Sequence, residues 1–141
     1  MAATSKAEAN WKGDLIKGGG SVKPASGAFG ELPITWAARA EHQHGKTSPE
    51  ELIAAAHASC YCMAFSNGLS MAGHVVERLD TTAEVDFVPG SGITQIRLSV
   101  RGRVKGVDAA GFQKLAEEAK TGCPVSQALK AVPISLEASL V

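Results

Sequence analysis

Hydrophobic and polar positions alternate with two different periods along this chain, and the change of period divides it into blocks. The first forty residues read as strands and turns. One strand is expected from Trp11 to Lys17, a break at Gly18-Gly19-Gly20, a short segment through Val22 and, after Pro33, a strand from Ile34 to Arg39. A helix then starts at Ser48-Pro49-Glu50-Glu51. Ser48 can cap it, Pro49 suits the first helical position, and Glu51 completes a capping box while both acids favour the helix dipole. The helix is predicted to run to about Ala72 before Gly73, with Leu52, Ala56, Cys60 and Met63 on one stripe, as a central and mostly buried element.

The period then changes to two. Leu79, Thr81, Ala83, Val85 and Phe87 alternate with Asp80, Thr82, Glu84 and Asp86. After Pro89-Gly90-Ser91-Gly92, Ile96, Leu98, Val100 and Val104 alternate with Arg97, Ser99, Arg101, Arg103 and Lys105. These read as the two arms of a hairpin, with acids of one arm facing bases of the other. Asp108 caps a second helix carrying Phe112, Leu115, Ala116 and Ala119, and Gly122 ends it. A short helix begins at Cys123-Pro124, and Ile134, Leu136, Ala138 and Leu140 alternate as a closing strand. Strands and helices come in blocks, without repeats or a long linker, which predicts a single α+β domain over residues 1–141.

Composition narrows the partners. Fourteen basic and fourteen acidic residues cancel, so no long-range field favours nucleic acid or an anionic membrane surface. No apolar run approaches the roughly 20 residues that span a bilayer, and the N-terminus lacks the apolar core of a secretion signal. A cytoplasmic protein is expected, with a core small enough that a second copy would help to bury it. In a reducing compartment three cysteines argue for catalysis, sensing or metal binding over structural disulfides.

Cys60 and Cys123 occupy contrasting helical settings. Cys60 lies deep in its helix, about 18 Å from the start at 1.5 Å per residue, beyond the reach of the dipole. Its ionisation at neutral pH needs a nearby cation. Arg39 is the cation that the order of elements suggests, with Glu50 able to fix its guanidinium through a two-pronged contact. Cys123, ahead of Pro124, stands at an N-cap where free backbone N–H groups favour its thiolate, a setting suited to resolving chemistry. Plainer readings stand beside these. Cys60 can be a small core hydrophobe, Cys62 a core residue on another face, and His57, one turn before Cys60, a helix-packing histidine with a satisfied hydrogen bond. His42 and His44 can be drawn with the two cysteines as a zinc shell, yet no paired Cys-x-x-Cys spacing supports one.

The run Ser-Pro-Glu-Glu-Leu-Ile-Ala-Ala-Ala-His-Ala-Ser-Cys ending at Cys60, the run Gly-Cys-Pro-Val-Ser-Gln from Gly122, and the N-terminal strands with Trp11 and Gly13 resemble the OsmC/Ohr family of cysteine-based peroxidases along essentially the whole chain. The Ala-Ala-His-Ala-Ser-Cys wording looks more like the osmotically inducible branch. The resemblance implies antiparallel sheets around a long central helix in a domain-exchanged, intertwined homodimer. It implies Cys60 as peroxidatic thiol, Cys123 as resolving thiol in a Cys60–Cys123 disulfide, and an Arg39–Glu50 pair that polarises the first. The implied substrate is an organic hydroperoxide, with hydrogen peroxide a poorer one, in oxidative stress defence. A dithiol reductant, such as a lipoyl-type dithiol, would regenerate the thiols, with no cofactor and no metal. An apolar site lined by residues such as Met63 and Phe65 would suit such a substrate. The competing expectation is a noncatalytic thiol redox sensor or small-ligand-binding protein on the same fold.

Overall fold

A computed structural model describes residues 1–141, which divide into two compact units, Met1–Leu52 and Ile53–Val141. The first unit holds a three-stranded antiparallel sheet of β1 (Ala7–Lys12), β2 (Gly19–Pro24) and β3 (Leu32–Ile34) in that order. Strand β1 starts and ends earlier than the alternation suggests, because Gly13, at φ 89°, turns the chain where the pattern predicts more strand. Gly20 must be glycine for a different reason: a Cβ there would collide with the Asn10 carbonyl across the β1–β2 pair.

The expected strand from Ile34 to Arg39 is instead a single strand residue followed by a short helix, α1 (Trp36–Ala40). Thr35 caps it, its hydroxyl accepting from the Ala38 N–H at 3.1 Å, and Trp-Ala-Ala-Arg-Ala carries good helix formers behind that cap. Arg39 therefore sits in the last turn of a helix and not at the end of a strand. The long helix α2 (Pro49–Met71) begins as predicted, with the Ser48 hydroxyl accepting from the Glu51 N–H at 3.1 Å. The Glu51 carboxylate accepts from the Thr47 hydroxyl, at 2.7 Å. Its C-terminal stop is also as predicted: Gly73 adopts φ 88°, and the His74 N–H reaches back to the Leu69 carbonyl.

The second unit carries the main core. Strands β4 (Val75–Val88) and β5 (Gly92–Lys105) form the expected long hairpin through a turn with Gly90 at φ 85°. Asp80 pairs with Arg101 and Glu84 with Arg97 across it. Helix α3 (Ala109–Gly122) is capped by Asp108, whose carboxylate accepts from the Gly111 N–H at 2.7 Å, and α4 (Pro124–Ala128) follows with Cys123 as its N-cap. Strand β6 (Ile134–Leu140) closes the sheet in the order β4-β5-β6, but parallel to β5. The expectation of antiparallel sheets thus holds for the first sheet and the hairpin and fails at β6. The reason is the helical crossover: α3 and α4 carry the chain back to the starting end of the sheet, and parallel strands need such a connection.

Tyr61, Phe65 and Leu69 of α2 are fully buried with Leu98 and Val100 of β5 and Phe112, Ala116 and Ala119 of α3. The Phe65 and Phe112 rings pack at 5.0 Å, and Gly102 leaves room for Phe112, since a Cβ there would stand 2.6 Å from the ring. The opposite face of α2 is open in the single chain. Ala55, Ala56, Ser59 and Asn67 are exposed, and Met63 and Met71 are 73% and 80% exposed. Apolar residues all round a helix ordinarily mean cover on all sides. No helix is long and apolar enough to cross a membrane.

Candidate active site

The first of two constellations lies in the first unit. Arg39, at the end of α1, donates from Nε to both carboxylate oxygens of Glu50, at 3.0 and 3.2 Å, and from Nη2 to one of them at 2.8 Å. The Glu50 side chain is 7% exposed and that of Arg39 33%. A planar fork on a buried carboxylate fixes a guanidinium in orientation as well as position. Arg39 also borders an apolar cavity of about 300 Å³ lined by Trp11, Leu15, Ile34, Thr35 and Trp36.

The second constellation lies in the second unit. Cys60, in the middle of α2, and Cys123, at the cap of α4, place their sulfur atoms 3.2 Å apart as free thiols. Cys60 is partly exposed, whereas Cys123 is fully buried. Sulfur atoms in a disulfide stand about 2 Å apart, so roughly 1 Å of closure would join these two. The two thiols are shifted in opposite directions. Burial raises the Cys60 pKa, against a lowering by the Val125 N–H, and the neighbouring Cys123 raises it further. Burial also opposes the Cys123 thiolate. There the backbone N–H of Ser126, the Cys60 thiol, the Ser126 hydroxyl and the Val125 N–H outweigh it, and the net shift is downward. In this setting Cys123 ionises more readily than Cys60.

Of the sequence-predicted residues, the structure thus joins Arg39 to Glu50 in one unit and Cys60 to Cys123 in the other. Cys62 donates to the Thr81 hydroxyl at 3.1 Å, turned toward β4. His42 and His44 pack edge to face at 5.4 Å in the loop after α1, and no group of three or more His, Cys, Asp or Glu side chains gathers as a metal-binding set. Phe65, expected to line a substrate site, is core, and Met63 stands in the open. Sequence reasoning passed over Ser126. Standing one turn after Cys123 on α4, it favours the Cys123 thiolate, and its hydroxyl meets the buried His57, Nε2 to Oγ 2.7 Å. The spacing held a signal: His57 stands three residues before Cys60, and Ser126 three after Cys123, one helical turn in each case.

The model of the OsmC-like protein family matches residues 42–137, a span that includes Glu50, Cys60 and Cys123 and leaves out Arg39. The chain is 43% identical over 134 residues to the peroxiredoxin OsmC of Escherichia coli, with 93% of each chain covered. Among solved structures, an organic hydroperoxide resistance protein OsmC from Legionella pneumophila has a similar fold, with TM-score 0.74 and 24% identity over 99% of this chain and 98% of that one. The organic hydroperoxide resistance protein OhrB of Bacillus subtilis gives TM-score 0.68 and 21% identity over 99% and 98%. The α+β fold is that of these proteins, and the chain belongs to the OsmC-like family.

Proposed function

We propose that this protein is a thiol-dependent peroxidase that reduces organic hydroperoxides to alcohols, and hydrogen peroxide more slowly, at the expense of a dithiol, in cytoplasmic defence against oxidative stress. The observation that carries the reading is the pair of free sulfur atoms 3.2 Å apart, one partly exposed and one buried, from residues 63 apart in the chain. The family relationship to a peroxiredoxin supports the same chemistry.

Cys60 is the thiol that solvent reaches, so it attacks first. Its thiolate takes the terminal oxygen of the hydroperoxide: the S–O bond forms, the O–O bond breaks, and the alkoxide leaves and gains a proton as the alcohol. The sulfur is oxidised by two electrons to sulfenic acid. The Cys123 thiolate then attacks that sulfur, forming the disulfide and expelling hydroxide, which is protonated to water. A thiolate of the reductant attacks Cys60, Cys123 departs readily because its pKa is low, and the second reductant thiol completes the exchange.

Nothing among the side chains around Cys60 in its own unit favours its thiolate. The missing charge is the guanidinium of Arg39, held by Glu50, which also stabilises the departing alkoxide. We assign the pairing to a homodimer in which Arg39 and Glu50 of one copy serve Cys60 of the other, each chain acting as one domain. The open apolar face of α2 supports such a dimer, and the cavity beside Arg39 favours organic over inorganic peroxides.

The test is consumption of tert-butyl or cumene hydroperoxide with excess dithiol. Cys60→Ser is expected to lower turnover by roughly 10³-fold or more, the loss of a nucleophile; turnover that survives it would overturn the mechanism. Peroxide taken up without turnover by the unaltered protein would favour a sensor. Mixing inactive Cys60→Ser and Arg39→Met chains should recover part of the activity, because one site in each mixed dimer is intact. A mixture as inactive as its components would rule out sharing between copies.

A further inference from the structure

His57 has no part in the chemistry above, yet it is buried completely in the second unit beside the cysteine pair. Its Nε2 lies 2.7 Å from the Ser126 hydroxyl oxygen, and its Nδ1 has no hydrogen-bond partner. Ser126 is itself 5% exposed and stands one turn after Cys123 on α4, where its hydroxyl favours the Cys123 thiolate. We propose that His57 and Ser126 are positioning residues that form a one-way hydrogen-bond chain, Nε2–H to Oγ and O–H to sulfur, which holds Cys123 as a thiolate aimed at Cys60.

The direction follows from counting protons. A thiolate can only accept, so the single hydroxyl proton of Ser126 is committed to Cys123. The Ser126 oxygen must then accept from His57, which fixes the neutral tautomer with its proton on Nε2 and a bare Nδ1. The reverse chain, thiol to Ser126 to His57, would end in an imidazolium whose Nδ1–H has no acceptor in a buried site. Burial also lowers the His57 pKa, which disfavours that state further. His57 therefore works as a fixed donor and not as a base, and its contribution persists across the neutral range.

The other groups around Cys123 do not supply the same effect. From α2, Cys60 faces it directly, and Tyr61 gives its hydroxyl to the Ala116 carbonyl. From α3, Glu117 acts on Tyr61 and, if anything, opposes a further negative charge. The short α4 carries no charged side chain, and β5 contributes the apolar Leu98 and Val100 to the same core. The inference rests on Cys123 acting as the resolving thiol, but the chain itself is readable without peroxide.

The decisive measurement is ultraviolet titration of the Cys123 thiolate in a Cys60→Ser, Cys62→Ser background, with Ser126→Ala, Ser126→Thr, His57→Leu and His57→Gln added in turn. Ser126→Ala and His57→Leu should raise the thiolate midpoint by about one pH unit, a tenfold loss of thiolate below it. Ser126→Thr, which keeps the hydroxyl, and His57→Gln, which keeps a donor at the Nε2 position, should restore most of it. In the protein with all cysteines, disulfide formation after one equivalent of hydroperoxide should slow about tenfold in the same two variants, with sulfenic acid accumulating at Cys60. If His57→Leu does not fold, the Ser126 pair alone decides. A midpoint unmoved by Ser126→Ala, or moved equally by Ser126→Thr, would overturn the proposal. Failure of the unaltered protein to reduce hydroperoxide would sink the peroxidase reading and leave the titration to judge the chain.

Discussion

Two arginine–carboxylate clusters in this molecule share their chemistry and differ in their surroundings. Arg39 grips Glu50 where the carboxylate is almost wholly buried and an apolar cavity adjoins the guanidinium. Arg97, on β5, grips Asp86 at 2.7 Å and Glu84 at 3.1 Å across the hairpin, with side-chain exposures of 37%, 39% and 68%. Both are forked contacts of similar length. The first fixes a charge on a buried carboxylate beside an apolar cavity, where its field is less screened; the second has carboxylates that are open to solvent and is screened more. Ion-pair geometry alone does not mark a functional site, whereas geometry joined to burial and an adjoining cavity does.

That difference predicts divergent effects of the same substitution. Arg39→Met is expected to lower turnover of an organic hydroperoxide by about 100-fold, the size of losing one preorganised donor for a developing anion, and to raise the midpoint of the pH–rate profile as the Cys60 thiolate loses its cation. Arg97→Met should leave turnover within about twofold, since exposed substitutions away from special features change little. Steady-state assays on both variants check the contrast, and equal losses would erase it.

The strand that carries Arg97 outward also separates exposure from burial along its own length. Arg97, Ser99, Arg101 and Arg103 face outward, while Ile96, Leu98, Val100 and Gly102 face the core. Gly102→Ala puts a methyl 2.6 Å from the Phe112 ring and is expected to destabilise the protein by about 1–3 kcal/mol, the usual range for overpacking. Denaturant unfolding measures it. A neutral result would mean that Phe112 can move aside without loss. Glu50→Gln should be milder on activity than Arg39→Met, roughly tenfold, because the guanidinium remains and only its orientation is loosened. The loss should appear in kcat at saturating dithiol.

Much of this was legible in the sequence, and the failures have physical causes. The alternation of Leu79 to Val104 and the caps at Ser48 and Asp108 act locally, and the structure keeps them. The strand predicted from Ile34 to Arg39 failed because a five-residue helix behind Thr35 leaves too little periodicity to register, although the threonine cap was there to see. The parallel direction of β6 is a property of the crossover and not of Ile134–Leu140. The 3.2 Å approach of Cys60 to Cys123, between residues 63 apart, could only be expected through the family resemblance. The His57–Ser126 bond, 69 residues apart in the chain, follows from that approach, since each residue stands one helical turn from its cysteine. The periodicity predicts a mostly buried helix with Leu52, Ala56, Cys60 and Met63 on one stripe, but α2 is apolar on both sides. Periodicity cannot say which side of such a helix meets its own core and which meets another surface.

The exposed cluster provides the smallest effect and the sharpest test of its own kind. Hydrogen bonding from Arg97 holds the Asp86 carboxyl below the ordinary carboxylate range. A group whose folded-state pKa is depressed contributes stability above its unfolded pKa and loses it as pH falls through the folded value. Arg97→Gln removes that depression. The Tm of the unaltered protein should therefore exceed that of Arg97→Gln slightly at neutral pH, and the gap should close on acidification once Asp86 takes up its proton in both proteins. Added salt at neutral pH should narrow the same gap, because both partners are partly exposed. A gap that persists in acid and in salt would mean that Arg97 contributes through the packing of its aliphatic stem on the hairpin, and the contrast with Arg39 would then be one of contact rather than of screening.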